Sequence, residues 1–235
     1  MLQNNILATI VTALCAITWL RLNDFAAHRS WISSSLSRKI IHAGTGPIFV
    51  ACWLLFVNTP SARYLAALIP LIITAQFALV GTGIINDPSA VQAMSRTGDR
   101  REILRGPLYY GIVFVVLTIW FWYDTPIGIV ALMLMCGGDG LADIFGRRLG
   151  KVKLPWNKNK SWVGSLGMFL GGWIFSVCIM GLYLAAGIFS GSLQAYLIPL
   201  ALIALVGTAV ESLPLKDVDN ITVTLAALAA GYILL

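Results

Sequence analysis

The sequence predicts an all-α, polytopic integral membrane protein of seven to eight transmembrane helices, and three observations lead there. Of the 235 residues, 58% are hydrophobic and only 11% charged, with a mean hydropathy of +0.84, outside the range of soluble domains. The apolar residues fall in runs long enough to cross a hydrocarbon core of about 30 Å as helices. No polar stretch between those runs is long enough to fold alone, so residues 1–235 read as a single transmembrane domain.

The first run covers 3–20. It opens without a basic region and lacks a small-residue cleavage site, so it is expected to stay as a first helix and not to be removed as a signal. No Arg- and Ser-rich leader is visible, and the chain reads as complete. A polar stretch with Arg21, Arg29, Arg38 and Lys39 follows. Runs at 40–57 and 64–85 are separated by the turn NTPSAR. The next loop carries Arg96, Arg100, Arg101 and Arg105 and leads into a run at 107–123. Asp124-Thr125-Pro126 turns directly into a fifth helix ending near 145, and a basic loop extends to Lys160. Further runs cover 162–188 and 195–213. After PLKDVDN comes a last run, 221–235, which would be about 22 Å long as helix against a core of about 30 Å, so its full crossing is the weakest of the eight.

The loops after the first, third, fifth and seventh runs hold every Lys and Arg except Arg63, and nine of the ten acids, all but Asp124, lie on that same side. The positive-inside rule places those four loops in the cytoplasm and both termini outside. A net charge of +6 would suggest nucleic acid in a soluble protein; here it follows membrane sidedness, and nucleic acid is not expected as a partner. Cys15, Cys52, Cys136 and Cys178 lie in apolar segments without CxxC spacing and read as reduced core residues. The tryptophans near span ends read as an interfacial belt.

Polar chemistry concentrates in one stretch, CGGDGLADIFGRRLGKVKLPWNKNKSWVG, from Cys136 to Gly164. Asp139 and Asp143 are spaced i, i+4, so a helix puts both carboxylates on one face, where they can reach one ion. They sit at or inside the end of an apolar helix, where an ionisable residue is costly and marks a functional site. There is no P-loop, no GxGxxG, no HExxH and no GxSxG. What remains is a carboxylate pair, glycines and nearby lysines, a set suited to a phosphorylated ligand with Mg²⁺. That ion takes one or two carboxylates and leaves its other positions to water and phosphate oxygens. Lys and Arg neutralise the remaining charge, and glycines let backbone N–H groups approach. Arg147, Arg148, Lys151 and Lys153 need no more than topology and anionic lipids to explain them.

The same stretch resembles the CTP-dependent polyprenol kinase family, which includes dolichol kinase and phytol kinase. That family carries Asp-x-x-Ala-x-x-x-Gly-x-x-x-Gly, then eight residues, then Lys-Lys-Thr/Ser-x-x-Gly. The match here is Asp139, Ala142, Gly146 and Gly150, then Lys160, Ser161 and Gly164. Asn159 replaces the first Lys, with Lys158 beside it, and Val163 replaces the Glu of the dolichol branch. Three further blocks resemble the phytol and farnesol branch: SRKIIHAGTG with Arg38, Lys39 and His42; REILRGPLYYG with Arg101, Glu102, Arg105 and Tyr110; and VESLPLKDVDN with Glu211, Ser212, Asp219 and Asn220.

The resemblance implies phosphorylation of a long-chain isoprenoid alcohol, phytol first, with CTP as donor and Mg²⁺ as cofactor. Asp139 and Asp143 are then the metal ligands or hydroxyl activators, and Lys160 contacts phosphate. His42 and Glu211 are further catalytic candidates, Glu211 as a second metal ligand or a group that orients the hydroxyl. Arg38, Lys39, Arg101, Arg105, Gly146, Gly150, Ser161 and Gly164 are candidates for nucleotide and phosphate contact. Two alternatives stay open: a cytidylyltransferase that makes a CDP-lipid, and a small transporter with a charged gate. Against the transporter, the acids gather on one face and no opposed pair of broken helices is evident.

Overall fold

All eight apolar runs are helical in the computed structural model, which describes residues 2, 4–95, 97–215 and 218–235. The order is α1 (Asn5–His28), α2 (Ser34–Trp53), α3 (Ala62–Thr82), a short α4 (Pro88–Met94), a 3₁₀ turn (Arg100–Leu104), α5 (Gly106–Trp120) and α6 (Pro126–Met133). A π turn (Leu134–Gly138) then joins α6 to α7 (Asp139–Leu149), and α8 (Trp162–Ala185), α9 (Leu193–Glu211) and α10 (Asp219–Leu234) complete the chain. Among the described residues there is no strand, only one isolated bridge between Lys153 and Ser161. Gln3, Arg96, Lys216 and Asp217, which the sequence places at the first helix start and in two basic loops, lie outside the described residues.

Six segments combine the length and apolarity needed to span: Asn5–His28, Ala62–Thr82, Arg100–Trp120, Pro126–Leu149, Trp162–Ala185 and Leu193–Glu211. The other two long helices each lack one requirement. α2 has 20 residues but begins SSLSRK. α10 has 16, about 24 Å, short of a hydrocarbon core.

The bundle is built around the rod from α6 through the π turn into α7. Its span is 78% buried, against 39% or less for the others. Met133, Leu134, Met135 and Cys136 are all fully enclosed, as expected of a helix that is apolar all round. α8 lies against the rod through small residues. A Cβ on Gly167 would stand 2.8 Å from the Leu141 carbonyl oxygen, and one on Gly164 would stand 3.3 Å from that of Ala142. Only a bare Cα allows helix backbones this close, which is how small residues drive packing in lipid.

Three boundaries differ from the sequence reading. α1 does not end at 20 but continues through its polar last turns to His28, where Asn23 Nδ2 donates to Trp19 O (2.9 Å) and Ser37 Oγ donates to Asn23 O (3.2 Å). α2 starts six residues before the apolar run, with the Ser33 hydroxyl accepting from Leu36 N. The fifth predicted helix runs on past 145 to Leu149. The cysteines are free, as expected, but only Cys52 and Cys136 are buried; Cys178 is exposed on α8.

The ends of the bundle differ in chemistry. Arg63 and Asp124, the two charges the sequence leaves on the far side, pair there: Arg63 Nη2 lies 2.6 Å from Asp124 Oδ2, and Nη1 donates to Ile119 O at 3.2 Å. Among the described residues, Lys39, His42, Asp139, Asp143, Arg147, Lys160, Glu211 and Asp219 make their ion pairs at the opposite end.

Candidate active site

The π turn precedes Asp139 directly. Its extra residue per turn interrupts the regular hydrogen-bond ladder, and such turns recur at functional sites. Gly137 and Gly138 allow it within the core: Cβ atoms there would meet the Phe175 ring at 2.5 Å and Met168 Sδ at 2.8 Å. α7 then carries Asp139 and Asp143 on one face, as the i, i+4 spacing requires.

That face meets α2. Lys39 Nζ lies 3.7 Å from Asp139 Oδ2 and 3.5 Å from Asp143 Oδ2, so one ammonium stands between the two carboxylates. His42 Nε2 is 3.2 Å from the same Asp139 oxygen, within ion-pair reach but out of hydrogen-bond alignment. Tyr110 fixes this histidine from α5. Its hydroxyl donates to His42 O (2.9 Å) and stands 3.3 Å from Cys136 Sγ, and the two rings meet tilted by 33° with centroids 4.3 Å apart. On the outer side Arg147 Nε donates to Asp143 Oδ1 at 2.8 Å.

A second group stands beside the first. The loop before α8 brings Lys160 onto Glu211, the last residue of α9, as an ion pair, and Lys160 Nζ is also 3.9 Å from Asp219 Oδ2 at the start of α10. Burial disfavours the Lys160 charge. The carboxylate of Glu211, joined by those of Asp139 and Asp219, more than offsets this and holds its pKa above the ordinary lysine value. The loop is itself tied to the end of α9: Asn157 Nδ2 donates to Ser212 O (3.1 Å) and Leu213 O (3.2 Å), and Trp156 Nε1 donates to Ser212 Oγ (3.2 Å). Asp139, Glu211 and Asp219 line one narrow crevice with Met135, Asn220 and Val223, so the two groups form one site.

The predicted residues thus separate into three sets. Asp139, Asp143, Lys39, His42, Lys160 and Glu211 converge. Gly146, Gly150, Ser161 and Gly164 gather where α7 crosses α8. There Ser161 caps α8 by accepting from Gly164 N (3.1 Å), and Gly146 leaves room for Gly164, whose added Cβ would lie 3.4 Å from Gly146 Cα. The Ser-x-x-Gly spacing therefore positions Lys160 by starting a helix at the right place. Arg38 donates to Ser95 O at 2.9 Å, away from the neighbouring Lys39, and Arg101 and Arg105 are exposed around the 3₁₀ turn. Lys158 is exposed in the loop, while the buried polar residue of that loop is Asn157.

Asp219 is the site carboxylate that residue spacing did not single out. Its signal is its position: an acid at the start of the helix that follows Glu211. Among the described residues no three His, Cys, Asp or Glu side chains are near enough together to hold a metal unaided. The donor set still suits Mg²⁺, which needs one or two carboxylates, and Asp139 and Asp143 present theirs together.

No family model and no solved structure matches the chain. Curated relatives do. The chain is 43% identical over 229 residues, 97% of its own length and 76% of the relative's, to a probable chloroplastic phytol kinase of Triticum aestivum. It is 39% identical over 207 residues (87% and 68%) to phytol kinase 1, chloroplastic, of Arabidopsis thaliana. To the chloroplastic farnesol kinase of the same plant it is 36% identical over 238 residues (99% and 77%). With matches this long and this similar across nearly its whole length, the chain belongs to the phytol and farnesol kinase family.

Proposed function

We propose that this protein phosphorylates a long-chain isoprenoid alcohol, with phytol as acceptor and CTP as donor, giving phytyl phosphate and CDP. One observation carries the reading: in a chain whose relatives are named phytol kinase and farnesol kinase, Lys39, His42, Asp139 and Asp143 stand against Lys160, Glu211 and Asp219 at one end of an apolar bundle. CTP is favoured by the motif resemblance through Asp139, Gly146, Gly150, Lys160 and Gly164.

The geometry suits phosphoryl transfer, which relies on positioning and charge neutralisation more than on covalent chemistry. Asp139 and Asp143 would hold Mg²⁺, which supplies charge neutralisation to phosphate oxygens when bound. Lys39 lies between them, ready to exchange a carboxylate for a phosphate oxygen. Lys160 stands where a second lysine can do the same from the other side. His42, held by Tyr110, stands beside Asp139. The hydrocarbon tail stays in the membrane, the hydroxyl reaches its surface, and the nucleotide arrives from the cytoplasmic water, an orientation that the charge asymmetry supports.

The test is product formation by purified protein given phytol, Mg²⁺ and CTP labelled at the γ-phosphate, with UTP and ATP in parallel and Asp139→Asn as control. Label in a lipid phosphate, lost in the variant, supports the reading. Label in pyrophosphate alone would replace it with a cytidylyltransferase.

A further inference from the structure

We infer that the crevice between the π turn, α9 and α10 seats the hydroxyl end of the acceptor alcohol, with Glu211 Oε2 receiving its proton; the substrate class rests on the function proposed above. Two kinds of wall meet there. Met135 and Val223 form an apolar side, 0% and 3% exposed. Asp139, Glu211 and Asp219 form the other side and, when ionised, offer acceptors only.

Glu211 is 4% exposed, and its two oxygens differ: Oε1 is taken by Lys160, while Oε2 is buried with no hydrogen-bond partner. A buried polar atom left unpaired is costly and needs an explanation. The amide of the crevice, Asn220 Nδ2, donates instead to Gly106 O at 3.2 Å. We read the missing donor as one that the ligand supplies. A phosphate brings negative charge and acceptors, which three carboxylates repel. A primary alcohol on a hydrocarbon brings an O–H for Glu211 Oε2 and methylenes for Met135 and Val223. As it stands the crevice has no room even for a water molecule, so its walls must part to admit the hydroxyl-bearing end, and a whole isoprenoid does not fit.

This arrangement separates the two substrates. Phosphates belong with Lys39 and Lys160, and the alcohol belongs against Glu211. In the transfer, the alcohol oxygen forms a bond to the γ-phosphorus while the bond from that phosphorus to the bridging oxygen of the β-phosphate breaks. The hydroxyl proton passes to Glu211 Oε2, and the nucleoside diphosphate leaves with the bridging oxygen.

Two measurements on the full chain in nanodiscs test this. The first irradiates wild-type protein with an isoprenoid alcohol bearing a diazirine beside its hydroxyl carbon. The label is expected on the peptides carrying Met135, Glu211 or Val223, and phytol should displace it at least tenfold better than phytane, the saturated hydrocarbon of the same branched skeleton without the hydroxyl. Labelling confined elsewhere, such as the groove of Leu14, Trp19 and Ile48 between α1 and α2, would overturn the assignment, as would equal displacement by phytane. The second compares Glu211→Gln with wild type: kcat should fall by about 10²–10⁴, with Mg–CTP binding within twofold of wild type. A kcat within threefold of wild type would also overturn it. The labelling reads neither turnover nor the variant's folding. Correct labelling without phosphate transfer to any alcohol would uphold the crevice and reject the kinase reading instead.

Discussion

Lys160 and Glu211 lie 51 residues apart in the chain and meet as an ion pair at the end of α9, with Glu211 only 3% exposed at its side chain and Lys160 28%. Removing one partner of such a pair strands a buried charge, which costs more than the pair itself contributes. Lys160→Met is therefore expected to lower stability by about 3 kcal/mol. The double variant Lys160→Met/Glu211→Gln should recover most of that loss. Thermal unfolding of the purified protein in detergent would check this; equal losses in both variants would mean that the pair does not support the fold.

The same lysine sets a pH window. Its pKa is raised: burial opposes the charge, but Glu211 first, then Asp139 and Asp219, outweigh it. For a cation with a raised folded-state pKa, the stabilisation is fully present below the unfolded value of about 10.4 and is lost as pH rises through the folded one. The difference in melting temperature between wild type and Lys160→Met should stay flat from about pH 6 to 9 and shrink only above about 10.5. A difference already shrinking near neutral pH would contradict the carboxylate environment.

Asp139 and Arg147 should respond very differently to substitution, although both belong to the ion-pair cluster. Asp139 faces Lys39, His42 and the crevice, so Asp139→Asn should lower kcat/KM by at least about 10³ while the protein still folds. Arg147 is 53% exposed at its side chain and, among the described residues, pairs with Asp143 alone, one turn away. Exposed pairs of this kind contribute little, so Arg147→Gln should change kcat/KM by less than about threefold. Steady-state kinetics with labelled CTP would separate them, and comparable losses would mean that Arg147 works in the site.

How much of this was legible in the sequence follows from what each signal measures. Apolar runs reveal where a helix is buried in lipid or protein, so all eight long helices were located. They say nothing about polar helical turns, which is why hydropathy stops α1 at 20 and starts α2 at 40, although Lys39 owes its position to the turns after the Ser33 cap. The i, i+4 spacing gave Asp139 and Asp143 a shared face because that contact is local. The meetings of Lys39 with α7, and of Lys160 with Glu211 and Asp219, depend on which helices are neighbours, and hydropathy does not encode adjacency. The π turn left only a Gly137-Gly138 pair as its trace. The glycines of the motif are expected from the sequence to contact phosphate; the structure shows the packing contacts of Gly146 and Gly164.

The approach of α8 to α7 makes a sharp prediction about glycine. Gly167→Ala places a methyl 2.8 Å from a backbone oxygen, Leu141 O, which cannot move without the helix. Overpacking of this kind costs about 1–3 kcal/mol, and it should also reduce activity by shifting the helix that carries Asp139. Gly181→Ala on the same helix meets nothing nearer than 3.6 Å, so it should be neutral or slightly stabilising through better helix propensity. Melting temperatures of the two variants would decide it; equal effects would mean that α7 and α8 are not in close contact.

Sidedness gives the last prediction. Every described ion pair except Arg63 with Asp124 lies at the site end, and the basic loops lead there. Because positive residues are retained on the cytoplasmic side, that end should face the cytoplasm. In a background with the four native cysteines replaced, Lys158→Cys, exposed in the loop before α8, should react with a membrane-impermeant maleimide only from the cytoplasmic side. Ser190→Cys, exposed between α8 and α9 at the other end, should react only from the opposite side. The reverse pattern would turn the active site away from cytoplasmic nucleotide and undo the route by which the donor is proposed to arrive. Neither lysine nor serine is in the site, so both variants should keep activity, and the labelling can be read on working protein.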